Sequence, residues 1–177
     1  MDGYDERKFA EALLYVAAGL ADDPAGGAVK INKALFNAEF GHMRAYGVPI
    51  TGADYQKLAH GPAPRRLLPV RSSLLESGAA ELREELYLGR TVKRLLPRRQ
   101  PDVSVLSPSE VAMLDQAIAV ETARSGADAS AASHLEPGWQ MVEENESIPY
   151  ETAFLRAPVV TGQVRRRVTA AAEHSLS

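Results

Sequence analysis

The chain has no cysteine among its 177 residues, so disulfides and thiolate metal sites are excluded within it, and the fold must rest on packing and hydrogen bonds. Long apolar runs are missing too. The longest, Ala12 to Ala21, is about half the length that crosses a bilayer and reads as the buried face of a helix. The opening MDGYDERKF is charged, with no apolar stretch behind a basic cap. No secretory leader and no membrane partner are therefore expected, and the expected location is cytoplasmic. The chain also lacks a Gly-x-Ser-x-Gly elbow, and Gly26-Gly27 has no Gly-Lys-Ser/Thr ending to cradle a phosphate. These gaps predict a protein that is not an enzyme and carries no cofactor. Aromatic residues make up only 6% of the chain, with a single Trp.

What is present fits one soluble core. Apolar residues make up 45% and charged residues 24%, and a chain of this length buries roughly 70% of its unfolded surface, enough for one domain. The net charge of −3 hides a polarity along the chain. Residues 64–99 hold nine Lys/Arg against four Asp/Glu, whereas residues 100–154 hold one against ten. Solvated faces that partly neutralise each other account for this, and so would faces presented to charged partners.

Helical periodicity dominates the first third. Phe9, Leu13, Val16, Ala17 and Leu20 form one stripe over 4–21. A second helix over 29–46 carries Ile31, Leu35 and Ala38 on one line and Phe36, Phe40 and Met43 beside it, so it is central, and Gly47 ends it. Residues 65–77 have helical composition with Pro69 as an objection that delays the start or kinks the axis. The arms 80–88 and 90–96 alternate as a hairpin. Ser107-Pro108-Ser109-Glu110 is a capping box that opens a helix running toward Gly126, and residues 128–133 form a short helix. Glu136-Pro137-Gly138 is expected as a turn delivering Trp139, and a frayed basic helix is expected over 162–172. The predicted fold class is mainly α, a single compact helical domain with a small antiparallel β-hairpin, spanning 1–157 before a basic tail at 158–177.

Two segments lack periodicity and are dense in turn formers. One is ITGADYQKLAHGPAPRRL from Ile50 to Leu67, in which Gly52 and Gly61 permit positive φ while Pro62 and Pro64 fix it. The other is HLEPGWQMVEENESIPYE from His134 to Glu151, holding the Trp. Tyr55, Trp139 and Tyr150 are either buried corks or partner anchors, and the buried reading is preferred for Trp139, with Met141, Val142 and Ile148 as its wall. Metal chemistry is incomplete. Glu39 and His42 make half of a carboxylate-bridged pair with no second half, and His60 and His134 are two ligands short of a zinc site, so hydrogen-bonding roles are expected and no metal. A helix with Arg65, Arg66 and Arg71 followed by a hairpin with Arg90, Lys93 and Arg94 has the order of a winged helix, which makes operator DNA a second candidate partner.

The residues carry a family resemblance as well. The Lys33 to Phe40 helix, Pro49-Ile50-Thr51-Gly52, Tyr55, Gly61-Pro62, Pro64, the His134 to Trp139 element and Ile148-Pro149-Tyr150 occur in that order between about residues 9 and 155. Jointly they resemble the Panacea domain, also called the SocA-like antitoxin domain, of bacterial and phage toxin-antitoxin loci. The resemblance implies a mostly helical domain that binds rather than catalyses and neutralises a cognate toxin encoded beside it, in some cases in a prophage. It also implies that Tyr55, His60, Gly61, Pro62, Pro64, His134, Trp139, Pro149 and Tyr150 are the shared scaffold or partner-binding motif. A winged-helix-like regulator and an adaptor that hands a partner to a cytoplasmic protease are the alternatives.

Overall fold

The computed structural model describes residues 3–155, and the basic tail with its expected helix lies outside the described residues. Six α-helices and two antiparallel strand pairs make the fold mainly α with minor β. Helix α1 (Glu6–Gly19) is capped by Asp5, whose carboxylate accepts from the Lys8 N–H at 2.9 Å. Its predicted stripe is buried throughout. Helix α2 (Ala28–Tyr46) packs against α1 and against two later helices, α4 (Pro108–Thr122) and α5 (Gly126–Ser133). Being surrounded, it buries Phe36, Phe40 and Leu35 together with Lys30, Lys33, Glu39 and His42. Gly47, left-handed at φ 76°, closes it by donating to the Met43 carbonyl at 2.8 Å.

The proline objection to the third helix is resolved by where the helix begins. Helix α3 (Leu67–Glu76) starts late, so Pro69 falls in its first turn, where a missing N–H costs no intrahelical bond. The capping box on α4 forms in full: Ser107 Oγ accepts from Glu110 N–H, and Glu110 accepts from Ser107 N–H at 2.7 Å. Helix α4 ends at Thr122, short of Gly126, because Ser125 caps a new helix there. The expected turn at Glu136 to Gly138 is instead the start of a short helix, α6 (Pro137–Met141), with Pro137 in its first turn.

The strands divide into two unlike pairs. Strands β3 (Ala80–Tyr87) and β4 (Arg90–Pro97) form the predicted hairpin, joined through Leu88 at φ 49° and Gly89 at φ 74°, a two-residue turn with both central residues left-handed. Strands β1 (Tyr55–Leu58) and β2 (Gly61–Pro64) form a hairpin that the two prolines concealed. Their tolerance has a geometric cause. Successive N–H groups of a strand alternate sides, and Arg65 N–H points at β1, donating to Asp54 O at 2.9 Å. Pro62 and Pro64 therefore both lack donors on the edge that faces away from β1.

Candidate functional site

The two turn-dense segments, about eighty residues apart in sequence, are joined along β1. Lys57 N–H donates to Glu146 O at 3.0 Å, Asn145 N–H to Lys57 O at 2.9 Å and Ile148 N–H to Tyr55 O at 2.7 Å. Residues 145–148 thus act as a third strand, which puts β1 between them and β2. Tyr55 is the cork of this layer at 1% exposure. Its ring meets Phe36 and Phe40 edge-on, at 5.5 and 5.8 Å between centroids, and Tyr150 stacks on Phe40 at 4.8 Å. Pro64 sits opposite Tyr55 in the register and is buried. Pro149 is the residue before the closing 3₁₀ turn, Tyr150–Phe154, and its carbonyl accepts from Thr152.

Below this layer lies a buried carboxylate. Glu39 accepts from the N–H groups of Ile50 and Thr51, at 2.8 and 3.1 Å, and from the Thr51 hydroxyl. Tyr150 donates to Ala53 O at 2.7 Å, with its oxygen 3.4 Å from the same carboxylate. Burial pushes the Glu39 carboxyl up, and the Thr51 and Ile50 donors pull it back down. Gly52, at φ 71°, completes the turn that aims these donors. Glu39 is therefore the peg of the Pro49 to Gly52 turn. His42 is turned elsewhere: its Nδ1–H donates to Val48 O at 2.8 Å, which leaves Nε2 to accept from Ser109 Oγ at 3.2 Å. The pair suspected as half of a metal site thus pins neighbouring residues of the loop that follows α2, with His42 also reaching the Ser109 hydroxyl.

Trp139 holds the β1–β2 turn, with surroundings that differ from the expected apolar wall. Its indole N–H donates to Leu58 O at 3.1 Å, its ring stacks on His134 at 4.3 Å, and Lys57 Nζ lies 4.3 Å over its face. Met141, expected in the wall, is exposed. Trp139 itself is half-buried, packed against the hydrophobic core that includes Ile148 while His134 and Lys57 lie against its ring. His134 also meets Ala59 O at 3.1 Å through Nε2, while His60 is exposed and contributes its carbonyl to Ser130. His134 thus holds backbone through its ring, whereas His60 takes part through its backbone carbonyl and not its side chain.

Gly61 and Pro62 mark a feature the sequence reading missed. Gly61 stands at φ 100°, and a side chain there would run into Ser133 Oγ and the Lys33 ammonium. Lys33 is 3% exposed, and its Nζ donates to Pro62 O at 3.2 Å. Burial brings its pKa down to about 8, partly opposed by the field of Glu121. It lines a cleft of about 400 Å³ between α2, α4 and α5, with Asn37, Arg44, Met113, Arg124 and Glu136 around it. Lys33 and Glu39 share a signal legible in sequence: charged residues on a helix that is apolar nearly all round.

The basic residues proposed for nucleic acid are largely spoken for. Arg65 pairs with Asp54 at 2.8 Å and Arg66 with Glu6 at 2.6 Å. Lys93 pairs with Glu84 at 3.2 Å across the hairpin. Arg94 departs most from the expectation of an exposed wing residue: it is 8% exposed, pairs with Glu85 at 2.7 Å and caps the Ala21 carbonyl at the end of α1. Arg71 is half-buried with an unpartnered Nε, and Arg90 is exposed at the hairpin turn. The acidic and basic stretches of the sequence thus partly neutralise one another within the fold, as in Lys8–Glu110 and Arg99–Glu11.

Among curated proteins and among solved structures, nothing matches this chain. A family model does: the one described as Antitoxin SocA-like, Panacea domain, matches residues 31–140. That span contains all but the first turn of α2, the β1–β2 hairpin, the Lys33 cleft and Trp139. Covering more than half of the chain, it shows that this protein belongs to the SocA-like antitoxin, Panacea-domain family.

Proposed function

We propose that this protein is an antitoxin that neutralises a cognate toxin by direct protein–protein binding, without catalysis. Membership of the SocA-like antitoxin family is the observation that carries this reading. The geometry around it agrees in kind. The motif residues Tyr55, Pro62, Trp139 and Tyr150 are engaged by the aromatic and charged side chains of α2 and by backbone, and Pro64 lies opposite Tyr55 in the register, as expected of a scaffold that different members share. Specificity for one toxin then resides on the surfaces this scaffold presents. Genetic context provides the test. The gene beside this one is expressed alone and then together with this chain. Growth arrest by the neighbour, relieved by co-expression and accompanied by co-purification, is the expected result. A neighbour that is harmless alone, or toxicity that co-expression leaves intact, overturns the reading.

A further inference from the structure

Seven charged residues are buried in the described structure, namely Glu11, Lys30, Lys33, Glu39, Arg94, Glu110 and Glu121. Five have an opposite charge within 4 Å: Arg99, Asp23, Glu85, Lys8 and Arg124 respectively serve Glu11, Lys30, Arg94, Glu110 and Glu121. Glu39 has no cation but is saturated with donors from the Thr51 turn. Lys33 alone has neither. Among the described residues no carboxylate lies within 4 Å of its nitrogen, and one carbonyl at 3.2 Å serves an ammonium with three donors. One turn earlier on α2, Lys30 shows the usual solution, a carboxylate of Asp23 at 2.5 Å.

Lys33 also lines a cleft. Arg44 and Arg124 stand at the rim of that cleft, Met113, Ala117 and Val120 form an apolar wall, and Leu135 beside it is 65% exposed. The acids present do little to fill the need. Glu121 takes Asn37 and Arg124 on Oε1, its Oε2 is buried without a partner among the described residues yet lies beyond 4 Å from the Lys33 nitrogen, and burial pushes both its carboxyl and that of Glu136 up. A buried cation that lacks a counter-ion costs stability, so a group from outside that supplies one is bound with that cost relieved.

We propose that the cleft between α2, α4 and α5 receives a carboxylate side chain of the protein partner, with Lys33 as its buried counter-ion and Arg44 and Arg124 at the mouth. The carboxylate preference stands on the geometry of this chain, and the assignment to a protein partner rests on the antitoxin reading. A buried ammonium beside an apolar wall of Met113, Ala117 and Val120 suits an acidic residue flanked by apolar ones on a partner surface. Binding would raise the proton affinity of Lys33, so complex formation takes up a proton where Lys33 is partly neutral. The charged groups around Lys33 are Lys30 and Arg44 on α2, Glu121 near the end of α4, Arg124 just after it and Glu136 after α5, and of these Glu121 acts on the Lys33 ammonium most directly. Affinity should therefore fall with rising pH above about 8.

The experiment has two arms. In the first, the ammonium signals of the lysines are followed by NMR in the whole chain while acetate, or the isosteric neutral acetamide, is titrated in. Saturable perturbation of Lys33 by acetate alone, with its pKa moving up, is expected. No response, or an equal response to acetamide, overturns the carboxylate preference without touching the antitoxin reading. In the second arm the neighbouring gene product is tested against wild type, Lys33→Met and Lys33→Gln. Loss of affinity by tenfold or more in both variants, with melting temperatures at or above wild type, is expected. Unchanged affinity alongside a positive acetate response would show that the site takes free small carboxylates, overturning the partner assignment. A wild type that binds no neighbour defeats both that assignment and the antitoxin reading, and leaves the first arm to decide the carboxylate preference.

Discussion

Glu39 and Lys33 sit six residues apart on the same buried helix and are treated in opposite ways. The carboxylate at the Pro49 to Gly52 turn is met by two backbone N–H groups and a hydroxyl within 3.1 Å. The ammonium at the α2–α4–α5 cleft is met by one carbonyl at 3.2 Å. Both pay desolvation, and hydrogen bonds from within the chain offset part of it at Glu39 and much less of it at Lys33. A charge saturated by its own backbone fixes a turn and is part of the scaffold. A charge left short destabilises the scaffold, which makes it a candidate for a task outside folding.

The sharpest way to break this contrast is to disarm the peg. Glu39→Gln leaves one acceptor oxygen and brings an NH₂ group to a site made of donors, so buried N–H groups lose their partner. The expected loss is about 3–5 kcal/mol, in the range for removing one side of a buried charged network. Urea denaturation measures it. A loss below about 1 kcal/mol would show that water replaces the carboxylate and that the turn stands without it.

Trp139 tests the same side of the molecule at a smaller scale. Full burial would predict about 3–5 kcal/mol for Trp139→Ala. Its ring is instead half-covered by His134 and Lys57 and anchored through Leu58 O. About 2–3 kcal/mol is expected from the lost area and hydrogen bond together. Thermal melting checks this, and a melting temperature equal to wild type would move Trp139 from clasp to exposed anchor.

On the Lys33 side the sign reverses. Lys33→Met removes a desolvated charge at nearly constant shape, and a gain of about 1–2 kcal/mol at pH 7 is expected. The pH dependence follows from the same cause. The folded pKa of about 8 lies below the ordinary 10.5, so between these values the unfolded chain binds more protons. Stability contributed by this group therefore rises as pH climbs through that window and is lowest beneath it, by at most about 3 kcal/mol. The difference between wild type and Lys33→Met isolates it from other titrations. A difference that stays flat from pH 7 to 10 would mean that Lys33 keeps its charge in full.

How far these features were legible depends on how local their causes are. The stripe of α1, the Ser107 capping box and the β3–β4 turn are set by residues within a few positions of one another, and all were readable. The β1–β2 hairpin was not. Its prolines argue against a strand until the side that each missing donor faces is known. The importance of Tyr55, Pro62, Trp139 and Tyr150 was visible as dense turn chemistry, but their joining along β1 needs residues 145–148 brought alongside. Glu39 and Lys33 are the extreme case. Their partners lie at Thr51 and Pro62, so periodicity marks them as buried charges and says nothing of which one is satisfied.

The smallest effects are expected where charges are exposed, and the β3–β4 hairpin supplies the control. Lys93 and Glu84 are each 59% exposed, a setting in which an ion pair contributes about 0–1 kcal/mol. Arg94 must be left out, because its guanidinium is inside and caps α1. The double reversal Arg90→Glu with Lys93→Glu should change stability by less than about 1 kcal/mol, most of it from facing Glu84 with a like charge. On the antitoxin reading, neutralisation of the neighbouring gene product should stay within about tenfold, since exposed charges mainly tune association rate. Operator DNA would respond otherwise. Phosphate contacts through these residues make affinity fall by orders of magnitude between about 50 and 200 mM salt, and reversal would abolish them. Co-purification with the neighbour and promoter binding across that salt range are the two measurements. Loss of the complex at physiological salt would place the toxin surface on the hairpin rather than the Lys33 cleft, and steep salt-sensitive promoter binding that the reversal removes would favour the regulator over the antitoxin.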